Sequence, residues 1–276
     1  MIILKNNNGR LGNAIFRLFA IIIFCTAYND TNPTILNYNE ANYREPNVIN
    51  DVYFNNFLDI FIKNKQVYML DTNSVLLFDG YYQHDQIYVS NKQKIVDFIR
   101  SRPDLILETD RKEKYLATNI IDFDLPLSKH HDIVVHLRLE DFIDISLVMN
   151  PDTIKIILED LAIEFPEETI AVVVNNPTTE LERKYICYLT KNLAKFNIVS
   201  NDVITDFTIM RKAKILVCSC STLSWAASLL SDTLERVYVP DLKTRSIHET
   251  FSKPIANTVN YKFEKCTREE LIKIVG

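Results

Sequence analysis

Glycine is scarce in this chain, with four residues in 276, and two of the four fall in the single segment Gly9-Arg10-Leu11-Gly12. Cysteine is sparse as well, and the five thiols (Cys25, Cys187, Cys218, Cys220, Cys266) form no CxxC pair. An odd, scattered set argues against a disulfide framework and fits a reducing compartment. Cys218 and Cys220 would point the same way on a strand, yet two thiols leave a metal site incomplete, so they read as small buried side chains. Long blocks of like charge are also missing. With 31 Lys+Arg against 36 Asp+Glu, a net charge of -5, there is no electrostatic footprint for nucleic acid or an anionic membrane. A local basic pocket for a phosphate is compatible with that balance. The apolar run over 18–25 is far too short to span a bilayer and reads as a buried helix, so no transmembrane segment is expected. The opening MIILKNNNGRLGN reads as a short strand and polar loop, not a signal peptide, and the expectation is a cytoplasmic protein.

What is present is a hydrophobic chain, 47% apolar, long enough for one large core or two compact ones. Short β-branched runs at 1–4, 34–36, 75–78, 133–137, 170–174, 215–218 and 237–239 alternate with helical stretches at 11–27, 86–100, 153–164, 180–195 and 222–230. Continuous apolar strands separated by helices indicate parallel sheets buried on both faces, an α/β fold. The polar stretch 126–132 is the best boundary, giving an N-terminal α/β domain over 1–128 and a Rossmann-like domain over 129–276. Two such domains facing one another would hold a ligand in the cleft between them, at the carboxyl ends of the strands.

Four segments sit where strands end or helices begin. The Gly9–Gly12 loop with Asn13 opens a helix, where glycine lets the backbone approach a ligand and free N–H groups favour an anion; a plain strand–helix turn is the other reading. His136-Leu137-Arg138-Leu139-Glu140-Asp141 follows an apolar strand. Alternation puts His136 and Arg138 on one side of it, and a guanidinium fork suits phosphate oxygens. Asp141 is placed to orient that arginine or to accept a proton; the alternative is an internal Arg–Asp pair beside a core histidine. Asn175 and Asn176 end another apolar strand, as a turn or as readers of a nucleobase edge. Asp206 precedes a last strand that runs into Ser221-Thr222, hydroxyls that cap a helix or complete a phosphate cradle.

In order, these segments resemble the α-1,2-fucosyltransferase family and the wider fucosyltransferase superfamily with an H-x-R-R-x-D motif. The opening G-x-L-G-N-x-x-F element matches at Gly9, Leu11, Gly12, Asn13 and Phe16. A middle G-Y-[FW]-Q element matches at Gly80-Tyr81-Tyr82-Gln83, and the H-x-R-R-x-D motif at His136, Arg138 and Asp141. The late S-x-F-S-W-W segment matches at Ser221, Leu223, Ser224 and Trp225, with Asp206 and Ile209-Met210 before it. The resemblance implies a GT-B-like pair of domains and an inverting transfer without metal or other cofactor, from a nucleotide-sugar donor to a carbohydrate acceptor. It also implies that Arg138 holds the donor pyrophosphate, with Ser221 and Thr222 helping. Gly9, Gly12, Asn13, His136, Asn175, Asn176 and Asp206 are expected on the donor side, and Tyr81, Tyr82 and Gln83 at the acceptor.

Two departures bear on the donor. Leu139 stands where the motif has its second Arg. Asn175-Asn176 stands where relatives often carry an acidic pair, and an amide, one donor and one acceptor, suits uracil better than the paired donors of guanine. GDP-fucose and a UDP-sugar such as UDP-xylose are therefore both expected donors. For the proton of the attacking hydroxyl, Asp141 is the nearest base, with His136 behind it. Two other readings are a non-catalytic nucleotide- or sugar-binding relative and a metal-dependent transferase using Asp122 and Asp124 as a D-x-D; residues around 112–121 read as helical, which favours a surface turn there. His84 and His248 have no partners at ligand spacing, and Asn29 with Thr31 forms a glycosylation sequon only in a secreted chain.

Overall fold

The computed structural model describes residues 1–28, 30, 33–38, 45–64, 74–83, 85–241 and 253–276. The chain divides into two compact units, Met1–Asp122 and Phe123–Gly276. The division falls at residue 122, against the 128/129 boundary read from the polar stretch.

In the first unit the order is β1 (Ile2–Lys5), α1 (Leu11–Ala27), β2 (Thr34–Asn37), β3 (Asn47–Ile49), α2 (Asp51–Asn64), β4 (Val75–Phe78), α3 (Asp85–Ser90), α4 (Lys92–Ser101), β5 (Ile106–Glu108), β6 (Lys114–Leu116) and α5 (Asn119–Asp122). Four strands form a parallel sheet ordered β2-β1-β4-β3. Apolar residues occupy every face of α1, and almost all of them are buried, as expected of a helix enclosed on all sides. Its Phe16 and Phe19 pack edge-on against Tyr88, with ring centroids 5.6 and 5.3 Å apart. The helix expected over 86–100 is broken at Asn91, whose Nδ2 donates to Ile87 O at 2.9 Å. Residues 112–121 are not one helix: Lys114–Leu116 pairs antiparallel with Ile106–Glu108, a cross-strand pairing that overrides local propensity, and only α5 follows.

In the second unit β7 (Ile133–Leu137), α6 (Asp141–Asp144), α7 (Pro151–Glu164), β8 (Ile170–Val174), α8 (Glu180–Thr190), β9 (Phe196–Val199), α9 (Val203–Lys212), β10 (Ile215–Val217), α10 (Thr222–Leu230), β11 (Arg236–Asp241), β12 (Thr258–Lys262) and α11 (Arg268–Val275) follow in turn. The six strands are all parallel, in the order β12-β11-β10-β7-β8-β9. The chain winds outward from β7 through β8 to β9, then returns to the other side of β7 for β10, β11 and β12. This is the Rossmann-type reversal, and ligands bind outside the carboxyl ends of the strands where it occurs. Ile133, Val135 and Leu137 join α7, α8 and α11 in one core, which turns His136 to the opposite face, where α9 packs. Most helices of this unit start at a side-chain cap: Asn150, Thr179, Asp202, Ser221 and Thr267 each accept a backbone N–H, and Thr179 with Glu182 forms a full capping box. No helix among the described residues is long and apolar enough to cross a membrane.

Candidate nucleotide site at the strand reversal

The carboxyl ends of β7 and β10 meet at the reversal. His136, buried in β7, lies with Nδ1 2.8 Å from Oγ of Ser219, just past β10. Burial, then the nearby charge of Arg138, pushes the imidazole pKa down to about 3. A ring that stays neutral to such low pH is a weak base, so the expectation of His136 as a reserve base gives way to a positioning role for Ser219. Ser219 itself was not singled out in the sequence.

Two residues beyond His136, the Arg138 side chain is 14% exposed, with Nη2 2.8 Å from Asp141 Oδ1 and 3.9 Å from Glu140 Oε2. Its guanidinium lies over the Phe142 ring, 5.4 Å from the centroid, a cation–π contact. A small pocket beside it is lined by Arg138, Leu139, Phe142, Tyr185, Ser219 and Cys220 among others. Leu139, at the position of the family's second Arg, is buried in the α7/α8 core. The guanidinium of Arg138 is held by carboxylates on its own turn.

Those carboxylates belong to a strained turn. Phe142 N donates to Leu139 O at 2.8 Å, and Glu140 between them has φ 37 and ψ −120. That is close to the first central position of a type II′ turn, which glycine adopts freely and a glutamate does not. Two partners hold it there. Glu140 N donates to Glu182 Oε1 at 3.1 Å, and Asn175 Nδ2 donates to Glu140 Oε1 at 2.5 Å. Glu182 is 2% exposed and also accepts from the backbone N–H groups of Thr178 (2.9 Å) and Thr179 (2.7 Å). Burial raises its pKa, but the donors around it outweigh that and leave it below its ordinary value. Glu140 and Glu182 were missed as functional candidates, although the T-x-x-E spacing of Thr179 and Glu182 is itself a helix-start signal.

Asn175 is brought into this site, while the neighbouring Asn176 is exposed. Asn175 is half-buried, with Nδ2 donating to Glu140 Oε1. That bond uses one of the two N–H donors of the amide, so Asn175 keeps both a donor and an acceptor. Thr222 opens α10, and Ser221 caps it by accepting from Leu223 N at 3.3 Å. Asp206 lies in the first turn of α9, buried, with its carboxylate on Asn201 N (3.1 and 3.3 Å) and Asn201 Nδ2 (2.9 Å), and burial raises its pKa. It pins the loop before α9.

In the first unit, Gly9 has φ +85, and a Cβ there would come within 2.4 Å of Asn13 Nδ2. Only glycine fits this turn with Asn13 in place. Gly12 is buried inside the first turn of α1, and Asn13 N donates to Arg10 O at 3.0 Å. The buried Arg17 ties this loop to the one after β4, its Nη2 donating to Asn8 O at 3.0 Å and Gly80 O at 3.1 Å. In the G-Y-Y-Q segment the two tyrosines part ways. Tyr81 is 52% exposed and Gln83 half-buried, whereas Tyr82 is 0% exposed, with its hydroxyl on Ile49 O and its ring against Phe54 and Phe78. Tyr82 therefore builds the turn, with its N–H on Asp51 Oδ1 at 2.6 Å, and offers no ring face to an acceptor. Asp122 of the D-x-D reading is spent on Arg100, at 3.0 Å. His84, His248, Asn29 and Thr31 lie outside the described residues.

No protein-family model matches the chain, and no curated protein sequence does. Among solved structures, E. coli heptosyltransferase WaaC with ADP is similar over 98% of this chain and 95% of that one, at 10% identity and a TM-score of 0.49. POFUT1 in complex with GDP is similar over 95% and 98%, at 12% identity and a TM-score of 0.45. UDP-GlcNAc 2-epimerase from Methanocaldococcus jannaschii, in complex with UDP-GlcNAc and UDP, is similar over 100% and 92%, at 12% identity and a TM-score of 0.40. At TM-scores below 0.5 these likenesses carry no functional weight.

Proposed function

We propose that the chain is a glycosyltransferase that moves a sugar from a nucleotide-diphosphate donor to a hydroxyl of a glycan acceptor, with inversion and without a metal. The observation behind this reading is Arg138: a mostly buried guanidinium at the carboxyl end of β7, beside the reversal and near the strand end that leads to the start of α10. A diphosphate is the ligand such a cation and an adjacent helix start would take together.

In the reaction, the acceptor oxygen bonds to the anomeric carbon and gives its proton to Asp141, the proposed base, while the bond from that carbon to the diphosphate breaks and the diphosphate leaves with the electron pair. Arg138 stabilises the charge that develops there. Inversion puts the attacking hydroxyl on the side of the sugar away from the diphosphate. Asp141 is bonded through Oδ1 to the guanidinium, so it orients Arg138 and, with its side chain half exposed, is also the proposed base. His136, buried and bonded to Ser219, is the poorer base and serves to hold Ser219.

The donor is GDP-fucose, as the family resemblance implies, or a UDP-sugar such as UDP-xylose. The test is release of nucleoside diphosphate from each donor in EDTA, over a panel of glycan acceptors. Acceptor-dependent release from one donor supports transfer. Nucleotide binding without turnover across the panel points instead to a binding-only relative, a reading favoured by the single Arg of the motif. Turnover abolished by EDTA would favour a metal-dependent route.

A further inference from the structure

At the carboxyl edge of the first unit's sheet, two polar side chains pair in the open. Lys5 of β1 lies opposite Phe78 of β4, so the next residues, Asn6 and Asp79, leave the sheet side by side. Asn6 Nδ2 donates to Asp79 Oδ1 at 2.8 Å, and the bond is exposed. It takes one of the two amide hydrogens of Asn6 and one carboxylate oxygen of Asp79. The second N–H, Asn6 Oδ1 and Asp79 Oδ2 carry no hydrogen bond among the described residues. The pair therefore offers a ligand both a donor and acceptors.

The turn that follows does not depend on this bond. Asp51, at the start of α2, accepts from Tyr81 N at 3.1 Å and Tyr82 N at 2.6 Å, and Arg17 of α1 donates to Gly80 O at 3.1 Å. A Cβ on Gly80 would come within 2.9 Å of Asp51 Oδ2, so glycine lets the backbone close on that carboxylate. Tyr81, two residues past Asp79, thus has its backbone fixed while its side chain stays largely in solvent. The Arg17 guanidinium lies within electrostatic reach of both Asp79 and Tyr81, which gathers the pair and the ring around one point.

An exposed ring on a fixed turn, beside groups that donate and accept, complements a sugar. One face of a pyranose is a patch of C–H groups that packs on an aromatic ring, and each of its hydroxyls both donates and accepts. A few placed polar groups then fix its orientation. We infer that Asn6 and Asp79 hold two adjacent hydroxyls of an acceptor pyranose whose C–H face packs on Tyr81. This rests on the glycosyl-transfer reading above.

Saturation-transfer NMR tests it with the methyl pyranosides of glucose, galactose, mannose and xylose, on wild type, Asn6→Ala and Asp79→Ala. Calorimetry follows GDP and UDP binding on the same samples. At least one pyranoside should bind wild type, with its C–H face protons the most strongly saturated. Both variants should weaken it, Asp79→Ala by roughly tenfold or more, the scale of a hydrogen bond to a charged group. O-methylation of that pyranoside at two adjacent positions, one at a time, should cost wild type affinity and cost Asp79→Ala little. The wild-type half of that comparison stands even if a variant misfolds. No pyranoside bound by wild type, equal affinity in all three proteins, or indifference to O-methylation at every position overturns this inference alone. Loss of nucleotide affinity in Asp79→Ala would move the pair to the donor and overturn it as well. Pyranoside binding that the variants weaken, with no nucleotide bound by wild type, upholds the sugar subsite and overturns the transfer reading instead.

Discussion

Nδ1 of His136 lies 2.8 Å from Oγ of Ser219, a hydrogen bond that joins the carboxyl ends of β7 and β10 at the point where the sheet reverses its winding. Either tautomer makes this bond, the hydroxyl donating to a bare Nδ1 or accepting from a protonated one, and burial keeps the ring neutral. A structural cost at low pH follows. The folded pKa of about 3 lies below the ordinary 6.5, so the unfolded chain takes up the proton first as pH falls. His136 thus contributes stability that is complete above pH 6.5 and is lost between there and pH 3. Urea midpoints should fall below pH 6.5 with a slope on the order of 1 kcal/mol per pH unit, and His136→Asn should flatten it. Equal slopes in both proteins would exclude this histidine as the source.

The buried carboxylate of Glu182 gathers N–H donors from Glu140, Thr178 and Thr179. Glu182→Ala leaves those donors without their acceptor and is expected to cost at least about 2 kcal/mol in chemical denaturation. It should also weaken nucleotide binding, because the turn carrying Glu140 and Asp141 beside Arg138 loses its anchor. A variant with lost stability and unchanged nucleotide affinity would confine Glu182 to a purely structural part.

Gly9→Ala forces a Cβ at φ +85 to within 2.4 Å of Asn13 Nδ2. The expected loss is about 1–3 kcal/mol, read from the urea midpoint. Full stability in this variant would mean that the loop is looser than its geometry implies.

Tyr81 and Tyr82 separate stability from use of the acceptor. Tyr82→Ala empties a core site and breaks the hydroxyl bond to Ile49 O, for about 3–5 kcal/mol. Tyr81→Ala changes an exposed ring, so stability should stay within about 0.5 kcal/mol while the acceptor KM rises and nucleotide affinity is unchanged. An acceptor KM equal to that of wild type would remove Tyr81 from the acceptor side.

Much of the frame was legible in the sequence, because its strands are uninterrupted β-branched runs. The residues of β7 and β8, and the helices α1 and α10, stand where periodicity puts them. Edge and polar strands were not legible: Phe196–Val199 and Thr258–Lys262 are largely exposed and take their conformation from a neighbouring strand. In the site, Arg138 and Asp141 could be paired from their spacing, and they are bonded. Glu140, Glu182 and Ser219 could not be, since each acts across segments distant in the chain. The divergent fates of Tyr81 and Tyr82 depend on which side of one turn is packed, and adjacent identical residues carry no such signal.

The central claim is that Arg138 holds a nucleoside diphosphate without help from a metal. Calorimetric titration of GDP and UDP in EDTA, against wild type and Arg138→Ala, tests it directly. The account predicts saturable binding of at least one nucleotide to wild type, weakened roughly tenfold or more in the variant. Binding of neither nucleotide without a divalent ion, or equal binding by Arg138→Ala, would contradict it.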